Sequence, residues 1–254
     1  MKDKIELIKI SKRFETGVAL HDISFQIQPG ERVALLGPSG AGKSVILQII
    51  AGIQKPTSGA VMIDGKAMNA FQRFFSPSRR GTGLVTQDMP LHPQKTALSF
   101  VRSGFRGKKI PHSERDKYIS EMMDRLRVQG LEKKLPHHLS GGERGRFALI
   151  RALAPGNKIL LLDEPLSALD PHQREEMVDL VRELHDEMGL TTIYVTHYIE
   201  EAQSLCDRII LINNGRMVQQ GTWIDLRYKP AEPFVRDYLS ISTKFRLMHA
   251  RPGG

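Results

Sequence analysis

The chain reads as short apolar runs divided by turn residues, and the period of those runs changes along its length. Residues 5–10 and 23–27 predict short strands, with Gly17 and the Gln28-Pro29-Gly30-Glu31 segment as the turns around them. Arg32 to Gly37 (RVALLG) is a buried-strand run, and Ser44 to Gly52 (SVILQIIAG) has the length and apolar spacing of a helix. A turn at residues 55–59 leads to a strand ending in Asp64-Gly65. From about Asp88 to His138 the texture alters: Pro90, Pro93, Pro111 and Pro136 punctuate short helical pieces such as HSERDKYISEMMDRLRV. KILLLDEP then predicts a strand, residues 172–189 an amphipathic helix ending at Gly189, TTIYVTH a strand and IEEAQSLC a helix. Residues 208–221 predict a hairpin turning at Asn214-Gly215, a type I′ pair. Strands alternating with helices give an α/β fold with a mainly parallel sheet. The early strands and the hairpin add an antiparallel sheet, and the middle of the chain adds a helical subdomain.

Composition narrows this picture only a little. At 254 residues the chain is long enough for one compact domain with a subdomain. Thirty-seven Lys and Arg against 28 Asp and Glu leave a formal charge of +9, which suits nucleic acid, anionic lipid or nucleotides without choosing among them. Much of that charge clusters in the helical insert, at Arg102, Arg106, Lys108, Lys109, Arg115, Lys117, Arg125 and Arg127. It reads either as a solvated face or as a docking surface. The single cysteine, Cys206, excludes an intrachain disulfide and reads as packing. The N-terminus carries charges and no apolar signal segment, and no window approaches the length of a membrane span.

The chemistry lies at the ends of the predicted strands. Gly37 to Ser44 (GPSGAGKS) fits the phosphate-loop pattern, with a buried strand before it and a helix after it. Its glycines let backbone N–H groups approach phosphate oxygens, and the helix start adds partial positive charge. Lys43 is then expected to neutralise the β and γ phosphates and Ser44 to give its hydroxyl to Mg2+. The apolar run of ILLLDEP delivers Asp163 to the carboxyl end of its strand, as a second group on the metal side. Glu164 follows as the group to orient or deprotonate an attacking water. His197 ends a third strand, beside the γ-phosphate if that strand neighbours the other two. The segment Leu139 to Arg146 (LSGGERGR) looks like a second anion-holding helix start, about a hundred residues after the first.

The order Gly37–Ser44, Gln87, Leu139–Glu143, Asp163–Glu164, Ser167–Asp170 and His197 resembles the ATP-binding subunit of an ABC (ATP-binding cassette) transporter. The likeness covers roughly residues 5–240: a single P-loop cassette with its helical subdomain at about 88–155, followed by a tail at 241–254. The resemblance explains the second anion site. In this family two cassettes pair head to tail, and the signature segment of one faces the phosphate loop of the other. Ser140, Gly141 and Gly142 would thus hold the γ-phosphate bound to a second copy or a paralogous cassette. It also implies the remaining site residues. Phe14 is placed like the aromatic that stacks on adenine. Gly37, Pro38, Ser39, Gly40, Ala41, Gly42, Lys43, Ser44 and Val45 form the nucleotide cradle. Gln87 resembles the glutamine that senses Mg2+ and water and links to the membrane partner. Asp170 closes the SALD segment that crosses to the opposite site. Catalysis falls to Glu164, His197 and Gln87, and Mg2+ to Ser44, Gln87 and Asp163.

Two positions depart from the family pattern. Val45 stands where a threonine is usual, which removes one hydroxyl contact near the α-phosphate. Gly145 stands where a glutamine is common, inside a helix. The Pro155-Gly156 pair also predicts an early end to that helix.

The resemblance implies an Mg2+-dependent ATPase driving a separate transmembrane permease, with a substrate-binding protein as a further partner. Its place would be cytoplasmic, peripheral on the inner face of the membrane. The closing segment GTWIDLRYKPAEPFVRDYL resembles the ends of bacterial importer cassettes, including those for quaternary-amine osmoprotectants, and leaves no room for a regulatory domain. A lipid or drug exporter subunit is the alternative. A soluble ABC ATPase acting on DNA or ribosomes fits less well, because such relatives carry long coiled coils or two cassettes, so no direct nucleic-acid contact is expected. A non-hydrolytic regulatory subunit would have a damaged Glu164 or His197, and both are intact.

Overall fold

The computed structural model describes residues 4–69, 74–87 and 93–240. Part of the insert's start at 88–92 and the tail at 241–254 therefore lie outside the described residues. In chain order the strands are β1 (Ile5–Phe14), β2 (Gly17–Ile27), β3 (Arg32–Leu36), β4 (Ser58–Ile63), β5 (Lys66–Ala67), β6 (Thr82–Val85), β7 (Ile159–Asp163), β8 (Thr191–Thr196), β9 (Arg208–Asn213) and β10 (Arg216–Gly221). The helices are α1 (Lys43–Ala51), α2 (Ala97–Ser103), α3 (His112–Arg125), α4 (Gly141–Ala152), α5 (Pro171–Met188), α6 (Ile199–Leu205) and α7 (Trp223–Tyr228). The described residues fall into two compact units, one within 4–50, 54–74 and 193–240 and the other within 51–53 and 75–192.

The first unit carries an antiparallel sheet in the order β2-β1-β4-β5. Its two leading strands run longer than the apolar alternation predicts. The register of β1 against β2 shifts after Leu7, Ile10 and Lys12, so side chains beyond Ile10 lose the period of two while the ladder continues to Phe14 opposite Gly17. In the same unit β3 pairs in parallel with β9, which turns back antiparallel as β10, so the Asn214-Gly215 hairpin extends the sheet of β3 and not, as the sequence predicts, the one built from β1 and β2. Asn214 and Gly215 both have positive φ, as a type I′ turn requires. Ala34 and Leu36 of β3 and Ile209 and Leu211 of β9 form one buried cluster with Ile199, Ala202, Leu226, Val235 and Leu239. Cys206 packs against that cluster, and burial raises its thiol pKa, so the sulfur stays protonated and inert as packing.

In the second unit β6 pairs in parallel with β7, Thr82 opposite Ile159 through Val85 opposite Leu162. Helix α4 lies so close to β6 that a Cβ on Gly83 would stand 1.9 Å from the Ala152 carbonyl oxygen. Only glycine allows that approach. Helix α4 ends at Ala152, just ahead of Pro155, as the sequence predicts, and Gly145 is one of its buried positions. The insert is held by polar clamps as well as by apolar contact. The Tyr118 hydroxyl of α3 donates to the Leu153 carbonyl at 2.5 Å, and Lys108 donates to Pro155 O at 2.6 Å and Asn157 Oδ1 at 3.0 Å. Helix α5 begins at the Asp170 N-cap with Pro171 at its first position and ends at Gly189 in the left-handed conformation. No described helix is long and apolar enough to cross a membrane.

Candidate nucleotide site

The phosphate loop is fixed by close backbone approach. Gly37 has φ +150°, and a Cβ there would lie 2.0 Å from the Ile212 carbonyl oxygen of β9. Gly42 has φ +100°, and its Cβ would meet Leu20 Cδ2 at 2.7 Å and Ala19 O at 2.9 Å. The loop is thus wedged between β9 and β2. A further backbone bond ties Gly215 N–H to Ala41 O at 3.1 Å. Gly40, by contrast, has φ +78° with nothing within 4 Å of a built Cβ, so the outer rim of the loop opens outward. Lys43 is 4% exposed, and its Nζ donates to Gly37 O and Pro38 O, each at 2.8 Å.

These features fit a polyphosphate. Backbone N–H groups in a glycine-rich concavity, the start of a nine-residue helix and a buried ammonium all favour clustered negative charge. Ser44 is the second residue of α1, and Val45, next to it, is half-buried. Phe14 ends β1 in the same unit and stays exposed, with the Lys12 ammonium 4.7 Å from its ring centroid. An exposed aromatic already favoured by a cation is a ready stacking platform.

His197 follows β8 directly and is half-buried. Its ring centroid is 4.1 Å from that of Tyr198, and its carbonyl accepts from the Tyr238 hydroxyl at 3.4 Å.

In the second unit, Gln87, Asp163 and Glu164 gather at one edge. Val85 and Leu162 are register partners in a parallel pair, so Gln87, two residues past β6, and Asp163-Glu164, at the end of β7, emerge on the same carboxyl side. Asp163 is buried, whereas Gln87 is exposed. Glu164 has φ +46°, a left-handed conformation uncommon for a residue with a side chain. The kink is held by Ser167, whose backbone N–H and hydroxyl both donate to the Glu164 carbonyl, at 3.2 and 3.0 Å. The resemblance names Ser167 only as part of the SALD segment. The available signal was its spacing, three residues after Glu164, where a serine closes a hydroxyl-to-carbonyl turn.

Ser140 caps α4. Its hydroxyl oxygen accepts from Glu143 N–H at 3.1 Å, and its own N–H donates to the Glu143 carboxylate at 2.7 Å, a complete capping box. The capped oxygen is an acceptor in that bond, so the hydroxyl proton can be directed outward. Gly141 packs tightly, its built Cβ 3.2 Å from both Ala168 O and Leu169 Cδ2, so the signature and SALD segments buttress each other. Asp170 serves locally as the α5 cap, accepting from Gln173 N–H at 2.9 Å.

Several of the insert's cations already have partners. Arg102 pairs with Asp116 at 2.9 Å, Arg125 with Glu187, and Arg115 donates to the Ile110 and Lys108 carbonyls. Lys95, Arg102, Arg106, Arg115 and Arg151 nevertheless line one pocket of about 450 Å³ beside Phe100. Among the described residues no cluster of three or more His, Cys, Asp or Glu forms a metal cage. Ser44, Gln87 and Asp163 are all oxygen donors of the kind Mg2+ takes, and an ion that keeps its waters and binds phosphate needs only one or two of them from protein.

Comparison with known proteins shows the family. The ABC transporter family model matches residues 20–167. The sulfate/thiosulfate import ATP-binding protein CysA of Mesorhizobium japonicum is 40% identical over 244 residues, which cover 94% of this chain and 69% of that protein. Its counterpart in Bacillus cereus is 39% identical over 251 residues, covering 97% and 68%. Among solved structures, the dimeric ABC transporter cassette MJ0796 superposes with a TM-score of 0.77 at 32% identity, covering 86% of this chain and 98% of that one. The same cassette in a post-hydrolysis state bound to ADP and Pi gives 0.76 at 33% identity over the same shares. The cbiO1 protein of Clostridium perfringens, part of the transporter complex cbiONQ, gives 0.76 at 29% identity over 98% and 97%. The chain belongs to the ABC transporter family, as one of its ATP-binding, ATP-hydrolysing cassettes.

Proposed function

We propose that this chain powers a bacterial importer by hydrolysing Mg2+-ATP as one of two cassettes paired head to tail. The observation that carries the reading is the presence of two separate phosphate-directed donor sets in one chain. One is the glycine loop with buried Lys43; the other is the capped start of α4, where Ser140 is exposed. In this reading each nucleotide takes one set from each of two cassettes. The dimeric form of MJ0796 supports this pairing.

In this reading the residues from Gly37 to Val45 cradle the phosphates and Phe14 stacks on adenine. Ser140, Gly141 and Gly142 bind the γ-phosphate held by the partner cassette. Asp170, through its cap, sets the segment that faces the partner. Ser44, Gln87 and Asp163 hold Mg2+, which when bound offsets charge on the phosphate oxygens. Glu164 orients the attacking water and accepts its proton, and His197 hydrogen-bonds the γ-phosphate side. Loss of the γ-phosphate removes the group both cassettes grip, so the pair parts.

The direction, import, follows the curated relatives, whose names specify sulfate and thiosulfate rather than the osmoprotectants suggested by the closing segment. Choice of cargo belongs to a transmembrane permease and any substrate-binding protein that serves it. We assign the permease contact to the basic pocket of the insert; in this reading the chain sits at the inner face of the membrane.

The test uses Glu164→Gln, which keeps the shape of the side chain and removes its basicity. With ATP and Mg2+ the variant should bind nucleotide and accumulate as a dimer by light scattering while turnover falls by about a hundredfold or more. A variant that stays monomeric and still turns over would refute the reading.

A further inference from the structure

We propose that Glu201 is a positioning residue for His197, acting through the Thr196 hydroxyl. This rests on the role given to His197 above. Glu201 is the third residue of α6, the position from which a glutamate normally reaches back to the N–H of its own helix cap. Here that cap is Tyr198, and its N–H donates instead to Thr196 Oγ1 at 2.9 Å. The Glu201 carboxylate is buried and turned toward β8. Its Oε2 accepts from Thr196 Oγ1 at 2.7 Å and from the Tyr194 hydroxyl at 2.9 Å.

The bonds run in one direction, from Tyr198 through Thr196 to Glu201. A backbone N–H can only donate, so the Thr196 oxygen accepts from Tyr198. The Thr196 and Tyr194 hydroxyls both donate to Glu201 Oε2. The hydroxyl of Thr196 thereby stands in for the missing direct arm of a capping box. Residues 196 and 198 are both held by the loop that Glu201 closes, and His197 is the residue between them. The Tyr238 hydroxyl on the His197 carbonyl and the Tyr198 ring against the imidazole complete its surroundings. The backbone of His197 therefore takes its direction from Glu201, five residues from the end of β8, although Glu201 is buried away from solvent.

A group acting through another has a recognisable kinetic signature. Steady-state ATPase assays with Mg2+, together with nucleotide affinity, should be run on Glu201→Ala, Glu201→Gln, Thr196→Val, Thr196→Ser, His197→Ala and the His197→Ala/Glu201→Ala pair. Glu201→Ala and Thr196→Val are expected to lower kcat by about tenfold or more with KM for ATP and nucleotide affinity unchanged. Thr196→Ser keeps the relay, and Glu201→Gln keeps an acceptor oxygen, so both should stay within about threefold of the parent. The double variant should be no slower than His197→Ala alone, because removing the positioner of an absent group costs nothing more.

Should Glu201→Ala not fold, Thr196→Val against Thr196→Ser carries the same comparison. Additive losses in the double variant, or a rise in KM with kcat preserved, would overturn the proposal. If His197→Ala slows turnover while both Glu201→Ala and Thr196→Val do not, the positioning role alone is wrong. Should His197→Ala itself turn over normally, the role of His197 falls and this proposal falls with it.

Discussion

Lys43 Nζ donates to the carbonyl oxygen of Gly37, six residues earlier, at 2.8 Å, and matches that bond with a second at the same distance to Pro38. The longest, most flexible cation of the loop is therefore fixed before any phosphate arrives, and its rotamer entropy is spent on folding rather than on binding. We predict that Lys43→Met lowers ATP turnover by about a hundredfold or more. It should also lower stability by about 1–2 kcal/mol, because two loop carbonyls lose that donor. Turnover assays beside urea denaturation check both parts; parent-like turnover would show that the buried ammonium is structural only.

Ser167 holds the Glu164 carbonyl by both its hydroxyl and its N–H, and the N–H bond survives side-chain truncation. Ser167→Ala should therefore reduce kcat severalfold without abolishing it, and cost about 1 kcal/mol of stability. Ser167→Thr, which keeps the hydroxyl, should recover most of the rate. Equal rates for the alanine and threonine variants would show that the hydroxyl does not shape the Glu164 kink.

Burial raises the Tyr118 hydroxyl pKa from its ordinary value near 10 to about 12, against a smaller lowering by Arg125. The protonated form is favoured in the folded state. The stabilisation it brings is complete below pH 10 and is lost as pH rises through 12, where the folded state too must surrender the proton. Denaturation midpoints measured from pH 9 upward should fall over this window. Tyr118→Phe should be less stable at neutral pH, having lost the bond to Leu153, and the gap between the two proteins should narrow as pH rises. A constant gap would contradict the assignment.

Arg106 lines the basic pocket of the insert, beside Arg102, whose charge Asp116 already meets, and Arg115, which bonds to backbone carbonyls. Arg106→Glu is therefore expected to leave the ATPase activity of the isolated chain within about twofold while transport by the assembled complex falls by tenfold or more, about 1.4 kcal/mol of coupling. Co-purification with the permease and vesicle transport, assayed together, give the readout. Unchanged transport would place the permease contact elsewhere.

The legible parts of this chain were those written in local pattern. The run RVALLG followed by GPSGAGKS predicted β3, the loop and α1 almost to the residue, because a buried strand and a helix start impose their own periods. Asn214-Gly215 fixed its hairpin for the same reason: both residues must adopt positive φ. Strands β1 and β2 extend beyond their apolar alternation because register shifts erase that period of two. Nor does the SALD segment by itself show that Asp170 caps α5, since that bond depends on where the chain turns after β7.

Sequence alone determined which residue types stand at the strand ends and helix starts, and through them the family and its phosphate chemistry. Tertiary structure decided what each is held by: Gly37 pressed on the Ile212 carbonyl, Gly83 on that of Ala152, and Glu201 turned from its own helix cap toward Thr196. The division has a physical cause. A motif records which groups a reaction requires, whereas the contacts that aim those groups join segments far apart in the chain or bend a short one against its usual habit, and neither leaves a periodic trace in the order of the residues.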